Sequence, residues 1–262
     1  MKKKLLIGIF ILSALLSVVT VGSAAEWVES PQYIVAGVIG ASCENAQAPE
    51  YFAVAPNSWY NGGHYKTWVD FITAMTHKDY HWLNYAAAGD VSANGITFLN
   101  DMLTQAVVID QNGMPVTSVK VLVIGFWAND FVWLPGYDQA VIDALVQNVN
   151  TQIAMAKSAG VEKIIVTGWP EYNDLDLDYF ITLFPVLTTH IDEAGYNQLK
   201  DYYYSAFSEP NGDYIFVEPW CKYQVFDGIH PGEATSERAA KIIRGALKHY
   251  DKYVNQKSLF CR

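Results

Sequence analysis

The constraint that most limits how this chain can fold is an alternation: short β-branched or apolar runs are separated by longer segments of helical period. Val119 to Phe126, reading Val-Lys-Val-Leu-Val-Ile-Gly-Phe, is the strongest short run; Tyr33 to Ile39, Trp82 to Ala86, Lys163 to Gly168 and Tyr214 to Glu218 are the others. Each has the length and residue type of a strand. His64 to Met75, Ser92 to Val107, Tyr137 to Ala159 and a region within Tyr179 to Phe207 each accommodate an amphipathic helix, and Gly232 to Tyr250 forms a last one. Strands that alternate with helices pair in parallel, so the expectation is an α/β domain with a central parallel sheet of about five strands and helices on both faces. No internal repeat, low-complexity tract or Pro/Gly/Ser linker divides it.

Lys2, Lys3 and Lys4 precede an apolar run from Leu5 to about Val21, and Gly22-Ser23-Ala24-Ala25 ends it. A basic start, an apolar stretch and small residues make an export signal, so residues 1–25 read as a signal peptide and 26–262 as a single domain. The alternative is an uncleaved anchor, close to the shortest that spans a bilayer. The expected location is periplasmic or secreted, with no membrane insertion once the leader is gone. About 237 residues then remain, enough for a substantial core. Losing the three lysines moves the formal charge from -10 to -13. So acidic a surface disfavours nucleic acid and anionic membranes as partners, while leaving apolar contact with a lipid substrate open.

Three cysteines, Cys43, Cys221 and Cys261, in an oxidising compartment allow at most one intramolecular disulfide. A last helix of about 25 residues would end roughly 37 Å from its start, far from Cys221. Cys43 and Cys221, both near strand ends on one edge of the sheet, are therefore the favoured pair, with three unpaired thiols as the alternative.

In such a fold chemistry gathers beyond the C-terminal ends of the strands, and four segments fall there. Gly40-Ala41-Ser42 follows the first strand. A serine at that turn presents both a hydroxyl and a backbone N–H to one space, which suits a nucleophile that also stabilises an oxyanion; a helix cap is the plainer use. Gly89, within Asn84 to Asp90, follows the second, where glycine allows close approach to a backbone N–H. Asn129, within Gly125 to Asp130, follows the third and carries an amide able to donate to an oxyanion. Asp227-Gly228-Ile229-His230-Pro231 follows the fifth. There a carboxylate three residues before an imidazole can hold its tautomer, making His230 a candidate general base.

Ser, Gly, Asn and Asp-x-x-His in this order resemble the four blocks of the SGNH hydrolases, also called the GDSL esterase/lipase family, over about Tyr33 to Tyr250. The resemblance implies a three-layer α/β/α sandwich. It also implies Ser42 as nucleophile, His230 as base and then acid, and Asp227 as the residue that orients His230. The oxyanion hole it implies comprises the Ser42 and Gly89 backbone N–H groups and the Asn129 side chain. No cofactor and no metal are expected. One departure stands out: Ala41 occupies the place of the usual Asp in Gly-Asp-Ser, and Asp90 and Asp130 are the nearby carboxylates that could take over its part. No Gly-x-Ser-x-Gly elbow supports an α/β-hydrolase reading.

The remaining signals are weaker. Asp174, Asp176 and Asp178 alternate like a calcium loop but lack its glycine and closing Glu, which favours a solvated acidic face. Trp127, Trp133, Trp169 and Trp220 follow strands and would line the crevice mouth or fill the core. Tyr202-Tyr203-Tyr204 suits a half-buried helix face. The expected function is a secreted serine esterase or lipase acting on lipid or phospholipid acyl esters. A carbohydrate acetylesterase and a catalytically inactive binding protein on the same scaffold are the alternatives.

Overall fold

The computed structural model describes residues 33–44, 66–87, 89–183, 188–225 and 227–256. The signal-peptide expectation therefore lies outside the described residues. Five strands, β1 (Ile34–Gly40), β2 (Tyr80–Asn84), β5 (Val119–Gly125), β6 (Lys163–Thr167) and β7 (Ile215–Val217), form one parallel sheet in the order β2-β1-β5-β6-β7. The short strands β3 (Val107–Ile109) and β4 (Pro115–Thr117) make a separate antiparallel hairpin just before β5. Sequence periodicity had run helix through Val107; the chain instead leaves the helix at Gln105.

Nearly every residue of β1 and β5 is buried, whichever face its side chain takes, so both faces of the sheet are covered. The cover comes from α1 (Trp68–Thr76) packed with α7 (Glu233–Lys248), and from α2 (Ser92–Gln105) packed with α4 (Gln139–Ser158), which also meets α6 (Glu193–Phe207). Short helices α3 (Ala128–Phe131), α5 (Leu177–Leu183) and α8 (Tyr250–Tyr253) complete the set. Aspartates cap the starts of α4 and α6: Asp138 accepts from the Ala140 N–H at 2.9 Å and Asp192 from the Gly195 N–H at 2.7 Å. No helix among the described residues is long and apolar enough to cross a membrane.

The aromatic expectations separate cleanly. Trp127, Trp169 and Trp220 are core residues rather than a crevice lining. Trp169 lies between Phe131 and Tyr203, with ring centroids 4.7 Å from each, and Trp220 packs edge-on to Tyr223. Trp133 alone of the four is half-exposed. The tyrosine run behaves as a half-buried helix face should: Tyr203 is enclosed and Tyr202 is exposed. Asp176 accepts from the Tyr179 N–H at the start of α5, and Asp178 meets His190 at 3.0 Å.

The expected Cys43–Cys221 disulfide is overturned: Cys43 is a free, buried thiol, whereas Cys221 is disulfide-bonded. The physical reason lies in the last helix. It stops at Lys248, His249 leaves helical geometry, and α8 begins at Tyr250, so the straight rod of about 25 residues that would hold the C-terminus away from Cys221 does not exist. The remaining cysteine, Cys261, lies outside the described residues.

Candidate active site

The chain places β1 between β2 and β5, so the segments that follow these three strands sit side by side along one sheet edge. Strand order reverses direction here, the position at which open α/β sheets leave a crevice. Ser42 follows β1, Gly89 follows β2 and Asn129 lies in the first turn of α3, shortly after β5. Ser42 is half-exposed between buried Ala41 and Cys43, so its hydroxyl is the part of the turn that reaches the crevice.

The fourth segment crosses back from β7 at the far edge. Its path is fixed by a bridge between Val225 and Pro231, by the Gly232 N–H donating to the Gln224 carbonyl at 2.7 Å, and by the Tyr223 hydroxyl donating to the Ile229 carbonyl at 2.7 Å. Within this loop Asp227 Oδ1 accepts from the backbone N–H groups of Ile229 (3.2 Å) and His230 (2.9 Å). Its Oδ2 lies 2.6 Å from His230 Nδ1. A carboxylate so placed fixes the proton on Nδ1, which leaves Nε2 as an acceptor, and Nε2 lies 2.6 Å from Ser42 Oγ. Both Asp227 and His230 are buried, and the Phe180 ring stands edge-on to the imidazole with centroids 6.0 Å apart. The structure thus brings Ser42, His230 and Asp227 into one hydrogen-bonded line.

Gly228 is needed in that loop. Its φ is +98°, and a Cβ there would come within 2.2 Å of the Asp176 carbonyl oxygen. Gly228→Ala must therefore displace the loop or α5. The expected result is a loss of about 1–3 kcal/mol in thermal or urea unfolding, with activity falling alongside it; a wild-type melting curve would show that the loop has slack.

The second and third segments are tied to each other. Asn129 Nδ2 donates to the Asp90 carbonyl at 3.0 Å, using one of its two N–H groups. Asp130 accepts from both the N–H and the hydroxyl of Ser92 at the start of α2, the hydroxyl at 2.6 Å. Burial pushes the Asp130 carboxyl up to about 6, partly offset by these Ser92 donors. Gly89 is exposed with φ +80°, and no described atom lies within 4 Å of where a side chain would be.

Neither Asp90 nor Asp130 takes the place of a carboxylate at position 41: Asp90 accepts from the Asn94 side chain, and Asp130 is spent on α2. The carboxyl at the serine turn is Glu44, which sequence reasoning missed. It is fully buried, with Oε2 3.2 Å from the Ala41 N–H. The only hint in the sequence was an acidic residue two positions after the serine. Cys43 beside it is also enclosed, and burial pushes its thiol well up, so it stays neutral. No cluster of His, Cys, Asp and Glu suited to a metal occurs among the described residues.

No protein-family model and no curated protein sequence matches the chain. Solved structures do. Est24, a carbohydrate acetylesterase from Sinorhizobium meliloti, aligns with a TM-score of 0.53 at 15% identity, over 82% of this chain and 99% of that one. The lipase Lip_vut3 from a goat rumen metagenome aligns with a TM-score of 0.51 at 12% identity, over 81% of this chain and 97% of that one. The chain has the SGNH hydrolase fold.

Proposed function

We propose that this protein is a serine-dependent carboxylic ester hydrolase, exported from the cytoplasm, that acts on lipid or phospholipid acyl esters. The observation that carries the reading is the continuous line from Ser42 Oγ through His230 to Asp227, with both hydrogen bonds at 2.6 Å. Ser42 attacks the ester carbonyl as His230 Nε2 accepts its proton, and Asp227 stabilises the imidazolium that forms. The tetrahedral oxyanion is received by the backbone N–H groups of Ser42 and Gly89 and by the second N–H of the Asn129 amide. His230 returns the proton to the departing alcohol, and water then repeats the sequence on the acyl-enzyme.

The half-exposed Trp133 stacks on Phe180, which in turn faces His230, and this gives the crevice an apolar wall suited to an acyl chain. An acetylated sugar could also lie against that wall, so acetyl-ester hydrolysis is the competing substrate class. An inactive binding role is disfavoured, because such a role has no need of an imidazole locked in the tautomer that deprotonates serine. The test is hydrolysis of nitrophenyl esters from acetyl to palmitoyl, together with labelling by a serine-directed phosphonate. Phosphonate on Ser42 and turnover that rises with chain length are expected. Turnover confined to acetyl would replace the lipid reading with the sugar one, and no labelling with no hydrolysis would end the enzyme reading.

A further inference from the structure

The serine turn is built around a carboxyl group that the reaction scheme above does not use. Glu44 is 0 % exposed, and its side chain fills the slot between the C-terminal ends of β1 and β5. A Cβ added at Gly40 would lie 2.8 Å from Glu44 Oε2, and one added at Gly125 would lie 2.5 Å from Oε1, so glycine at both strand ends is what makes room for it. Oε2 accepts the Ala41 N–H, one residue before the nucleophile. The Glu44 carbonyl accepts from Asn84 Nδ2 at the end of β2 (2.7 Å) and from Thr67 Oγ1 ahead of α1 (3.5 Å). One residue therefore touches the ends of three strands and the entry to a helix.

The carboxyl has little to support a negative charge. Among the described residues Oε1 has no hydrogen-bond partner, and none of the ion pairs includes Glu44. An ionised carboxylate with one amide donor and no cation is costly in such a place, which favours the protonated acid.

We propose that Glu44 is a positioning residue: as a neutral acid wedged between β1 and β5, it holds the turn that presents Ser42 to His230, in place of a carboxylate at position 41. This deepens the ester-hydrolase reading and rests on it for its kinetic part only. Burial pushes the group up to about 8, with the Ala41 N–H offsetting part of the cost. Among the described residues, the titratable groups coupled to it are the Cys43 thiol on the same turn and, at longer range, the Tyr203 phenol of α6; both are held neutral by burial. Ionisation would place a negative charge behind the turn whose N–H receives the oxyanion, and would draw water between the strands. Activity should therefore fall as pH rises through about 8.

Stability carries the same signature without any need for turnover. The folded protein keeps a proton that the unfolded chain releases at the ordinary carboxyl value of 4.5, so the Glu44 contribution weakens as pH rises from there to about 8 and is constant above. Glu44→Gln keeps shape and neutrality. It is expected to retain kcat within about threefold at pH 7, to lose the alkaline fall, and to flatten the decline in melting temperature across that window. Glu44→Ala is expected to lower kcat about 100-fold with KM little changed, and to speed hydrogen exchange at the Ala41 amide.

The proposal is overturned if Glu44→Gln keeps the wild-type pH dependence of both activity and melting, or if a folded Glu44→Ala protein keeps wild-type kcat and Ala41 exchange. Should Glu44→Ala fail to fold, the pH profiles of Glu44→Gln decide alone. Should the wild type hydrolyse no ester, the enzyme reading falls, while melting and exchange still decide the role of Glu44.

Discussion

Ser42→Ala is expected to abolish ester hydrolysis, lowering kcat by on the order of ten thousand to a million-fold, in a protein that folds and melts like the wild type. The size of the effect follows from what the hydroxyl does. It is the only atom in the hydrogen-bonded line that forms a covalent bond, and without it the imidazole has nothing to deprotonate except water. Folding should hardly notice. Ser42 is half-exposed, so water can take its place against His230 Nε2, and the cost is about 1 kcal/mol or less. Turnover numbers for a purified variant, with circular dichroism and a melting curve as controls, settle it. A folded Ser42→Ala protein with more than a tenth of wild-type turnover would remove Ser42 from the chemistry.

Asn129→Ala carries the second largest expected effect, a fall of about 100- to 1000-fold in kcat. The oxyanion exists only in the tetrahedral species, so KM should change little while kcat and kcat/KM drop together. A purely structural role predicts something else. The amide also donates to the Asp90 carbonyl, and losing that bond should cost about 1 kcal/mol of stability, far too little to explain such a drop in rate. Near-normal turnover in the folded variant would assign Asn129 to loop fastening alone. Asn129→Asp sharpens the comparison: it keeps the size but presents oxygen in place of N–H, and should be at least as inactive as Asn129→Ala.

What could be read in advance, and what could not, divides along physical lines. The inner strands were visible because strands covered on both faces are apolar throughout, and Val119 to Phe126 carries that signal in its composition, whereas the edge strand β2, part exposed and polar, runs over Tyr80–Asn84 rather than the expected Trp82 to Ala86. The β3–β4 hairpin was not, since three-residue strands are too short to establish a period and the apolar Val107 and Val108 extend the helical pattern of α2. Ser42, Asp227 and His230 were legible because a carboxylate, an imidazole and a hydroxyl at strand ends constrain each other chemically. Glu44 was not: a glutamate in a loop reads as solvent-facing, and only the glycines at positions 40 and 125, far apart in sequence, reveal a slot for it. The tryptophans stayed undecided for a related reason, since an indole after a strand has the same sequence signature whether it faces a crevice or the core. The disulfide expectation failed on one unmarked helix break at His249.

The separation of the site along the chain carries a consequence in time. Ser42 and His230 are 188 residues apart, and the loop bearing the base departs from the strand at the opposite edge of the sheet from β2. Ser42 and His230 meet only when β5, β6 and β7 lie beside β1 in the sheet and the final loop crosses back over its edge. Contacts of such long range form late and together. A chain in which this sheet order is not yet formed therefore leaves the Ser42 hydroxyl without its imidazole partner.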